Sequence, residues 1–287
     1  MAWSRSSAPP ALASLATWRP IDLLERDTLR RALSDLKPSL VYHCAGAAHV
    51  FHSWQNTSEA FSSNVLTTHY LLDGLRRANV RCRLLIPGSA MVYAPSPDPL
   101  TEDDPTGPGS PYGLSKLAQE QLGLRALQED GIDVVVARAF NHTGPRQSPD
   151  FAAAGMARQV ALVEAGALDS VKVGNLEAQR DLTDVRDTVR AYRLLMDGGI
   201  PGTVYNVATG IARPIRTVLE GLVSRARRKI PIQTDPARMR PSDISFLAGD
   251  FSRLRSATGW SPVIPFDQML DDLLAYWRAQ VQLLSHS

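Results

Sequence analysis

Three side chains, Ser89, Tyr112 and Lys116, have the types and spacing that could polarise and protonate a carbonyl group while a hydride donor reduces it. Tyr112 and Lys116 stand four residues apart in "SPYGLSK" (110–116), within a helical pattern that puts both on one face. A lysine ammonium about 4–6 Å away is expected to lower the pKa of a phenol by about 1–3 units, which suits proton transfer near neutral pH. Ser89 follows a predicted strand and could hydrogen-bond the same carbonyl oxygen.

The tyrosine–lysine pair alone is weak support for catalysis, because a surface pair with this spacing arises by chance in many proteins. The order of the surrounding elements favours the catalytic interpretation. A strand leads to Ser89, a Pro/Gly-rich loop with acidic residues follows, Tyr112 opens a helix, and the next strand ends at Asn141.

The elements that must position these residues alternate between helix and strand. Helical patterns cover 23–37, 56–80 and 112–131, and short apolar strands cover 38–46, 81–90 and 132–141. One further helix–strand unit spans 183–209. This alternation, with nearly continuous apolar strands, predicts an α/β fold: a Rossmann-like, doubly wound parallel sheet with helices on both faces.

The predicted organisation has two lobes. Residues 20–141 and 181–209 are expected to form a dinucleotide-binding core, and 142–180 with 210–287 a smaller α/β lobe that binds substrate. Residues 1–19 are expected to be a loose N-terminal segment. Ligands of open α/β sheets bind beyond the carboxyl ends of the strands, which here carry "AGAAH", "GSAMVY" and "FNHTGP".

Composition excludes several other classes of protein. A net charge of +2 argues against a dedicated nucleic-acid binder, and the cluster RARRK (225–229) is expected at an exposed helix end. The sequence contains no run of about 18 apolar residues, so no membrane span is expected. Cys44 and Cys82 lie in apolar runs and are expected to be reduced, and no metal site is predicted. A cytoplasmic location is the default expectation.

The motifs "GSAMVY", "YGLSK" and "RAFNHTGP" resemble those of the extended short-chain dehydrogenase/reductases, a family that handles nucleotide sugars. The resemblance covers about residues 20–280. Two longer stretches, "VKVGNLEAQRDLTDVRDTVRAY" and "DPARMRPSDISFLAGDFSRLRSATGWSP", resemble most the GDP-4-keto-6-deoxy-D-mannose reductases and next the GDP-mannose 4,6-dehydratases. The resemblance therefore implies NADPH or NADH as cofactor and a GDP-sugar as substrate.

The resemblance also implies roles for single residues. Ser89, Tyr112 and Lys116 match the catalytic triad. The implied cofactor-binding residues are Asp22, Leu23, Ala45, Gly46, Tyr112 and Lys116. The implied substrate-binding residues are Ser89, Asn141, Asn175, Arg180, Arg240 and Asp243. Two arginines facing a diphosphate would form forked, charge-assisted hydrogen bonds. The alternative for Arg180 and Arg240 is an ordinary surface ion pair with a nearby acid such as Asp181 or Asp243.

The residues after the serine bear on the reaction type. A 4,6-dehydratase must remove a proton from C5 of the sugar, and similar dehydratases carry an acid just after the catalytic Ser or Thr. Here those positions hold Ala90 and Met91, so reduction is favoured over dehydration. An epimerase stays open as an alternative. His142 could be an additional acid–base or a structural residue at a strand end.

One departure from the family pattern concerns the cofactor phosphates. The chain carries no G-x-x-G-x-x-G or G-x-G-x-x-G and is expected to begin near the second or third strand of the fold, which would expose an apolar sheet edge. A late start codon, a truncated product, and a protein that no longer binds dinucleotide well are the three explanations. A truncated, non-catalytic nucleotide-sugar-binding protein is therefore the alternative to an enzyme. A homodimer through the helices at 56–78 and 112–129 is expected, as is common among similar proteins.

Overall fold

The computed structural model describes residues 1–6, 12–239 and 244–284. The strands are, in chain order, β1 (Ala2–Ser4), β2 (Trp18–Pro20), β3 (Leu40–Tyr42), β4 (Arg83–Pro87), β5 (Asp133–Ala139), β6 (Asn141–Thr143), β7 (Val171–Val173), β8 (Gln179–Asp184), β9 (Val204–Val207), β10 (Ala212–Pro214), β11 (Ile232–Thr234) and β12 (Phe246–Leu247). The α-helices are α1 (Arg26–Leu36), α2 (Val50–Gln55), α3 (Thr57–Phe61), α4 (Thr67–Arg77), α5 (Pro111–Asp130), α6 (Ala152–Glu164), α7 (Val185–Gly198), α8 (Ile215–Ser224), α9 (Ser252–Thr258) and α10 (Phe266–Leu284).

The chain divides into two compact units. The first comprises Met1–Ala94, Pro105–Arg138 and Leu194–Tyr205, and the second comprises Pro95–Asp104, Ala139–Arg193 and Asn206–Ser287. The predicted division into a cofactor-binding core and a substrate lobe stays a prediction.

The main sheet of the first unit has the strand order β3-β4-β5-β9, and its β3–β4 and β4–β5 pairs are parallel. Leu84, Leu85 and Ile86 of β4 are fully buried. This continuous burial is the pattern of a parallel strand covered by helices on both faces, so the α/β, Rossmann-like fold predicted from the sequence is confirmed. β3 ends the strand order, and Leu40 and Tyr42 on it are 52% and 45% exposed.

The helices of the first unit follow the predicted positions with two changes, the first of which is the short helix α2, which the sequence did not predict. The pattern at 56–80 predicts a single helix, whereas the structure has α3, a π-helical turn at Ser62–Leu66, and α4. Such π-turns often occur at functional sites, and this one turns Asn64 into the interior, where it is fully buried. Leu29 and Leu33 of α1 join Leu71 and Leu75 of α4 in an apolar core with β4 and β5.

The N-terminal segment differs from the loose segment predicted for 1–19. β1 and β2 pair in parallel, with Trp3 opposite Arg19, and Trp3 packs partly buried against the apolar core of the first unit. Two three-residue strands are too short to show periodicity in a Ser/Ala/Pro-rich stretch, and the burial of Trp3 becomes visible only in the fold.

The second unit has a sheet of order β10-β8-β12, with β6 also paired to β8, and a separate parallel pair of β7 and β11. Its core is formed mainly by α6, α8 and α10, with Ala157, Val160, Leu222, Leu270 and Leu273 among the buried side chains. Among the described residues, no helix is both long and apolar enough to span a membrane.

Candidate active site

Helix α5 presents Tyr112 from its first turn. Ser110 caps the helix by accepting a hydrogen bond of 3.0 Å from the Gly113 N–H, and Pro111 occupies the first helical position. The backbone N–H of Tyr112 has no partner within the helix, and it donates instead to Ser53 Oγ on α2 at 3.1 Å. These bonds fix the start of α5, and with it the position of the phenol.

Ser89 lies just beyond the carboxyl end of β4 and caps the 3₁₀ turn at Ala90–Val92. Its Oγ accepts a hydrogen bond of 3.2 Å from the Met91 N–H. That bond leaves the hydroxyl proton of Ser89 free to donate, and the hydroxyl lies close enough to the Tyr112 phenol to lower its pKa. A Cβ at Gly113 would collide with the Met91 carbonyl oxygen. Glycine at this position therefore allows α5 to lie close against the turn that carries Ser89.

The pKa of Tyr112 is raised above its usual value of 10, because burial of the phenol outweighs the opposing effect of the neighbouring Ser89 hydroxyl. The expectation that Lys116 lowers this pKa is wrong for this arrangement. The Lys116 Nζ donates to Gln119 Oε1 and makes no resolved contribution to the titration of Tyr112. The phenol of the free protein is therefore a proton donor rather than a phenolate at neutral pH.

Lys116 is one helical turn beyond Tyr112 and is 8% exposed. Burial lowers the pKa of its ammonium to about 8, against the opposing effects of Cys44 and Glu120, which raise it. The side chain is thus still mainly charged at neutral pH while lying in a region of low polarity. A cation of this kind can stabilise a phenolate when Tyr112 gives up its proton.

Ala45 and Gly46 follow β3, and the chain there is held by Asn64. The Ala47 N–H donates to Asn64 Oδ1 at 2.9 Å, and Asn64 Nδ2 donates to the Ala47 carbonyl at 3.2 Å. Gly46 has a φ of 156°, and a Cβ there would collide with Asn64 Oδ1. Glycine is therefore required at this position by the close approach of the buried amide.

The residues around this strand end fit the nicotinamide half of a dinucleotide. Cys44, Ala45 and Gly46 are exposed, so their backbone is accessible to a ring, and Cys44 interacts electrostatically with Lys116. Lys116 and Tyr112 supply an ammonium and a hydroxyl of the kind that binds a ribose. Asp22 accepts a 2.9 Å hydrogen bond from the Leu24 N–H in the turn that leads into α1, while Leu23 packs against the apolar core.

The predicted substrate residues that the structure describes belong to the second unit. Asn141 is exposed at the start of β6. Asn175 accepts a 2.9 Å hydrogen bond from the Glu177 N–H, and Arg180, on β8, donates to the Gln179 carbonyl at 2.8 Å. Arg240 and Asp243 lie outside the described residues. The roles of all five in binding substrate stay predictions.

The carboxylate of Asp181 is occupied by partners other than Arg180. It accepts hydrogen bonds from the N–H and hydroxyl of Thr209 and from the N–H groups of Gly210 and Gly249, and it is fully buried. These bonds give Asp181 a structural role that ties β8 to two loops.

His142 is held by a 3.1 Å hydrogen bond between its Nδ1 and the Phe140 carbonyl, and burial lowers its pKa. The imidazole is therefore neutral, with Nε2 left as an acceptor. Both the structural and the acid–base interpretations of this residue are compatible with that arrangement.

Sequence reasoning missed the buried polar residues that surround Lys116. His43, Asn64, Thr68 and Gln119 are all at most 4% exposed. Gln119 could have been noticed, because it follows Lys116 by three residues on the same helix face. The others come from distant parts of the chain, and no local pattern connects them with Lys116. Within the described residues, no group of three or more His, Cys, Asp or Glu side chains could hold a metal ion.

Comparison with known proteins gives consistent results. A family model described as GDP-mannose 4,6 dehydratase matches residues 8–273. The GDP-6-deoxy-D-mannose reductase of Pseudomonas aeruginosa is 36% identical over 265 residues, which is 91% of this chain and 87% of that protein.

Solved structures agree in fold. The structure of RMD from Pseudomonas aeruginosa complexed with NADPH has a TM-score of 0.86 and 34% identity, covering 94% of each chain. The UDP-glucose 4-epimerase of Thermus thermophilus in complex with NAD has a TM-score of 0.83 and 26% identity, covering 94% of this chain and 86% of that one. This chain therefore belongs to the GDP-mannose 4,6-dehydratase family and has the Rossmann-like fold of the extended short-chain dehydrogenase/reductases.

Proposed function

We propose that this chain is a nicotinamide-dependent reductase that converts the 4-keto group of GDP-4-keto-6-deoxy-D-mannose to the alcohol, giving GDP-D-rhamnose. The observation that carries the proposal is the placement of the Ser89 hydroxyl next to the Tyr112 phenol beyond the end of β4, with the buried ammonium of Lys116 one helical turn along α5. The 36% identity to a GDP-6-deoxy-D-mannose reductase supports this choice of substrate.

The two hydroxyls are suited to polarise and then protonate a ketone. Ser89 donates a hydrogen bond to the carbonyl oxygen, and Tyr112 transfers its proton to that oxygen as negative charge develops there. When bound, the nicotinamide cofactor, NADPH or NADH, supplies the hydride to the carbonyl carbon. The Lys116 ammonium stabilises the phenolate that remains on Tyr112 until a proton from solvent restores the hydroxyl.

Reduction fits the residues after Ser89 better than dehydration does. Ala90 is buried and Met91 is half-buried in the 3₁₀ turn. Neither side chain can accept a proton, so this turn cannot supply the base that removes the C5 hydrogen in a 4,6-dehydration. Reduction of a ketone requires no such base.

For the rest of the substrate we propose the second unit. Asn141, Asn175, Arg180, Arg240 and Asp243 would contact the sugar and the nucleotide diphosphate. The two guanidinium groups would provide the forked hydrogen bonds that phosphates favour. Asp22, Leu23, Ala45 and Gly46 would contact the cofactor.

The test is a direct assay of the purified chain with GDP-4-keto-6-deoxy-D-mannose and either NADPH or NADH. We expect loss of nicotinamide absorbance at 340 nm, and NMR should identify GDP-D-rhamnose as the product. Failure to reduce the ketone with either cofactor would contradict the proposal.

Two other outcomes would identify the alternatives. A product that is epimerised, or a keto sugar formed from GDP-mannose, would indicate an epimerase or a dehydratase. Calorimetry that detects GDP-sugar binding but no NADPH binding would indicate a non-catalytic nucleotide-sugar-binding protein.

The expected homodimer stays a prediction, as does the cytoplasmic location. Leu66, at the end of the π-turn, and Leu114, on α5, are 42% and 49% exposed, and both belong to the two helical regions predicted to form the interface. Light scattering of the wild type and of Leu114→Lys measures the oligomeric state. A wild-type monomer at micromolar concentration would contradict the prediction.

A further inference from the structure

The buried polar side chains behind Lys116 form a continuous hydrogen-bonded chain. Lys116 Nζ donates to Gln119 Oε1, and Gln119 Nε2 donates to Thr68 Oγ1 at 2.8 Å. Thr68 Oγ1 is also 2.8 Å from His43 Nε2 and donates to the Asn64 carbonyl at 2.6 Å. Gln119 and Thr68 are completely buried, and His43 is 4% exposed.

The direction of this chain is fixed by Thr68. A threonine hydroxyl has one proton and two lone pairs, and its proton goes to the Asn64 carbonyl. Thr68 must therefore accept from both Gln119 and His43, so Gln119 turns its NH₂ group toward Thr68 and its oxygen toward Lys116. The same requirement makes His43 the tautomer with hydrogen on Nε2.

We propose that Gln119 is a positioning residue for the reductase reaction: held by Thr68, it presents a fixed oxygen that keeps the Lys116 ammonium charged and in place. This inference rests on the proposed function, since it assigns Lys116 its role there. Packing alone does not require a glutamine at this position. An apolar side chain of the same size would fill the space without accepting a hydrogen bond from the ammonium.

The other groups that face Lys116 are charged, neutral or paired in ways that leave the Gln119 oxygen as its hydrogen-bond acceptor. His43, Cys44 and Glu120 are the titratable groups that interact with it electrostatically, and Tyr112 lies one turn away. His43 stays neutral, because burial lowers its pKa to about 3. Loss of hydration beside neighbouring protein atoms raises the pKa of the Cys44 thiol, and Glu120 is already paired with Arg138. The Gln119 oxygen is therefore the hydrogen-bond acceptor that the structure places on this ammonium.

The first experiment measures the charge of Lys116 directly and needs no activity. The chain has only four lysines, at 37, 116, 172 and 229, so NMR of protein labelled at the lysine ¹³Cε gives four signals, and Lys116→Met identifies one of them. We expect Gln119→Leu to lower the pKa of Lys116 by about one unit, since a hydrogen bond to a charged group is lost. Gln119→Glu should raise it, since a carboxylate replaces the amide.

The second experiment uses the pH profile of the reductase. The fall of kcat on the alkaline side should move to lower pH by about one unit in Gln119→Leu and to higher pH in Gln119→Glu. Thr68→Val, which frees Gln119 to rotate, should act like Gln119→Leu, whereas Thr68→Ser keeps the hydroxyl and should behave as the wild type. Gln121→Leu is the matched control, because Gln121 is exposed two residues further along α5.

An unchanged Lys116 titration in both Gln119→Leu and Thr68→Val would overturn the proposal. So would a shift of the same sign in Gln119→Leu and Gln119→Glu, because a merely structural disturbance does not depend on the sign of the introduced charge. Should Gln119→Leu fail to fold, Gln119→Glu and Thr68→Val decide the matter. If the wild type reduces no ketone, the NMR titration still tests this inference separately from the proposed function.

Discussion

Helices α5 and α10 are of similar length, yet they bury opposite kinds of side chain. The buried face of α5 includes Ser115, Lys116, Gln119 and Glu120, whereas α10 buries Met269, Leu270, Leu273, Leu274, Trp277 and Val281. Burial of a polar group without a hydrogen bond is unfavourable, so the polar side chains of α5 need the partners found for them. The difference fits a stabilising role for α10 and the catalytic role proposed for α5.

The buried faces of the two helices also differ in how strictly each side chain requires its particular partner. Apolar side chains such as those of α10 tolerate exchanges of similar volume. On α5, Glu120 binds Arg138 through two hydrogen bonds of 3.0 and 2.7 Å, and Arg138 also lies over the ring of Tyr93. Each partner requires the other, because a single buried charge left behind has no solvent to stabilise it.

The largest expected effect is on the rate. Tyr112→Phe removes the proton donor and should lower kcat by about two to four orders of magnitude, with little change in the free energy of unfolding. Steady-state kinetics and urea unfolding measure the two quantities. Tyr276→Phe on α10 is the control and should keep its activity. A Tyr112→Phe enzyme of normal kcat would refute the assignment of chemistry to α5.

Glu120→Gln tests the buried ion pair and should affect stability instead. It leaves Arg138 without its charged partner and should lower the free energy of unfolding by about 3–5 kcal/mol. Glu129→Gln is the matched control on the same helix, because the Arg125–Glu129 pair is more than half exposed and should contribute little. Equal stabilities for the two variants would mean that the buried pair does not depend on its charges.

Leu273→Ala tests the apolar face of α10. Leu273 is fully buried in the core of α6, α8 and α10, so its truncation should cost about 2–5 kcal/mol of unfolding free energy. Leu283→Ala, at a position that is 66% exposed, should cost far less. The activity of Leu273→Ala per folded molecule should be unchanged at a temperature where it is still folded. A selective loss of kcat would contradict the assignment of a purely stabilising role to the apolar face of α10.

The smallest expected effect is on the pH dependence of stability and of kcat, which should change in opposite directions as the pH rises. The pKa of Lys116 is about 8 in the folded chain and near 10.5 when unfolded, so between these values the unfolded state binds the extra proton. The contribution of Lys116 to stability therefore rises with pH across this range, while kcat should fall above a pH of about 8 as the ammonium is lost. Urea unfolding and kinetics between pH 7 and 10 would measure both, and Lys116→Met should remove both trends. Parallel trends would contradict this role of Lys116.

Most of the fold and the central pair of the site could be predicted from local patterns. The helix at 112–131 is marked at one end by Ser110 and Pro111 and at the other by Gly131, and the structure has it at Pro111–Asp130 with Gly131 in the left-handed conformation. The buried strand β4 reads as an apolar run. The π-turn at Ser62–Leu66 was not predictable, because its sequence fits an ordinary helix and only the burial of Asn64 against Gly46 explains it.

The sequence by itself determined the alternation of strands and helices, the placement of Tyr112 and Lys116 on one helix face, and the family to which the chain belongs, because these depend on spacing along the chain. Only the tertiary structure decided how Lys116 is held and why the phenol of Tyr112 stays protonated. Both depend on burial and on partners from His43 to Gln119 that meet only after folding, and the free energy of a buried charge is set by what surrounds it in space.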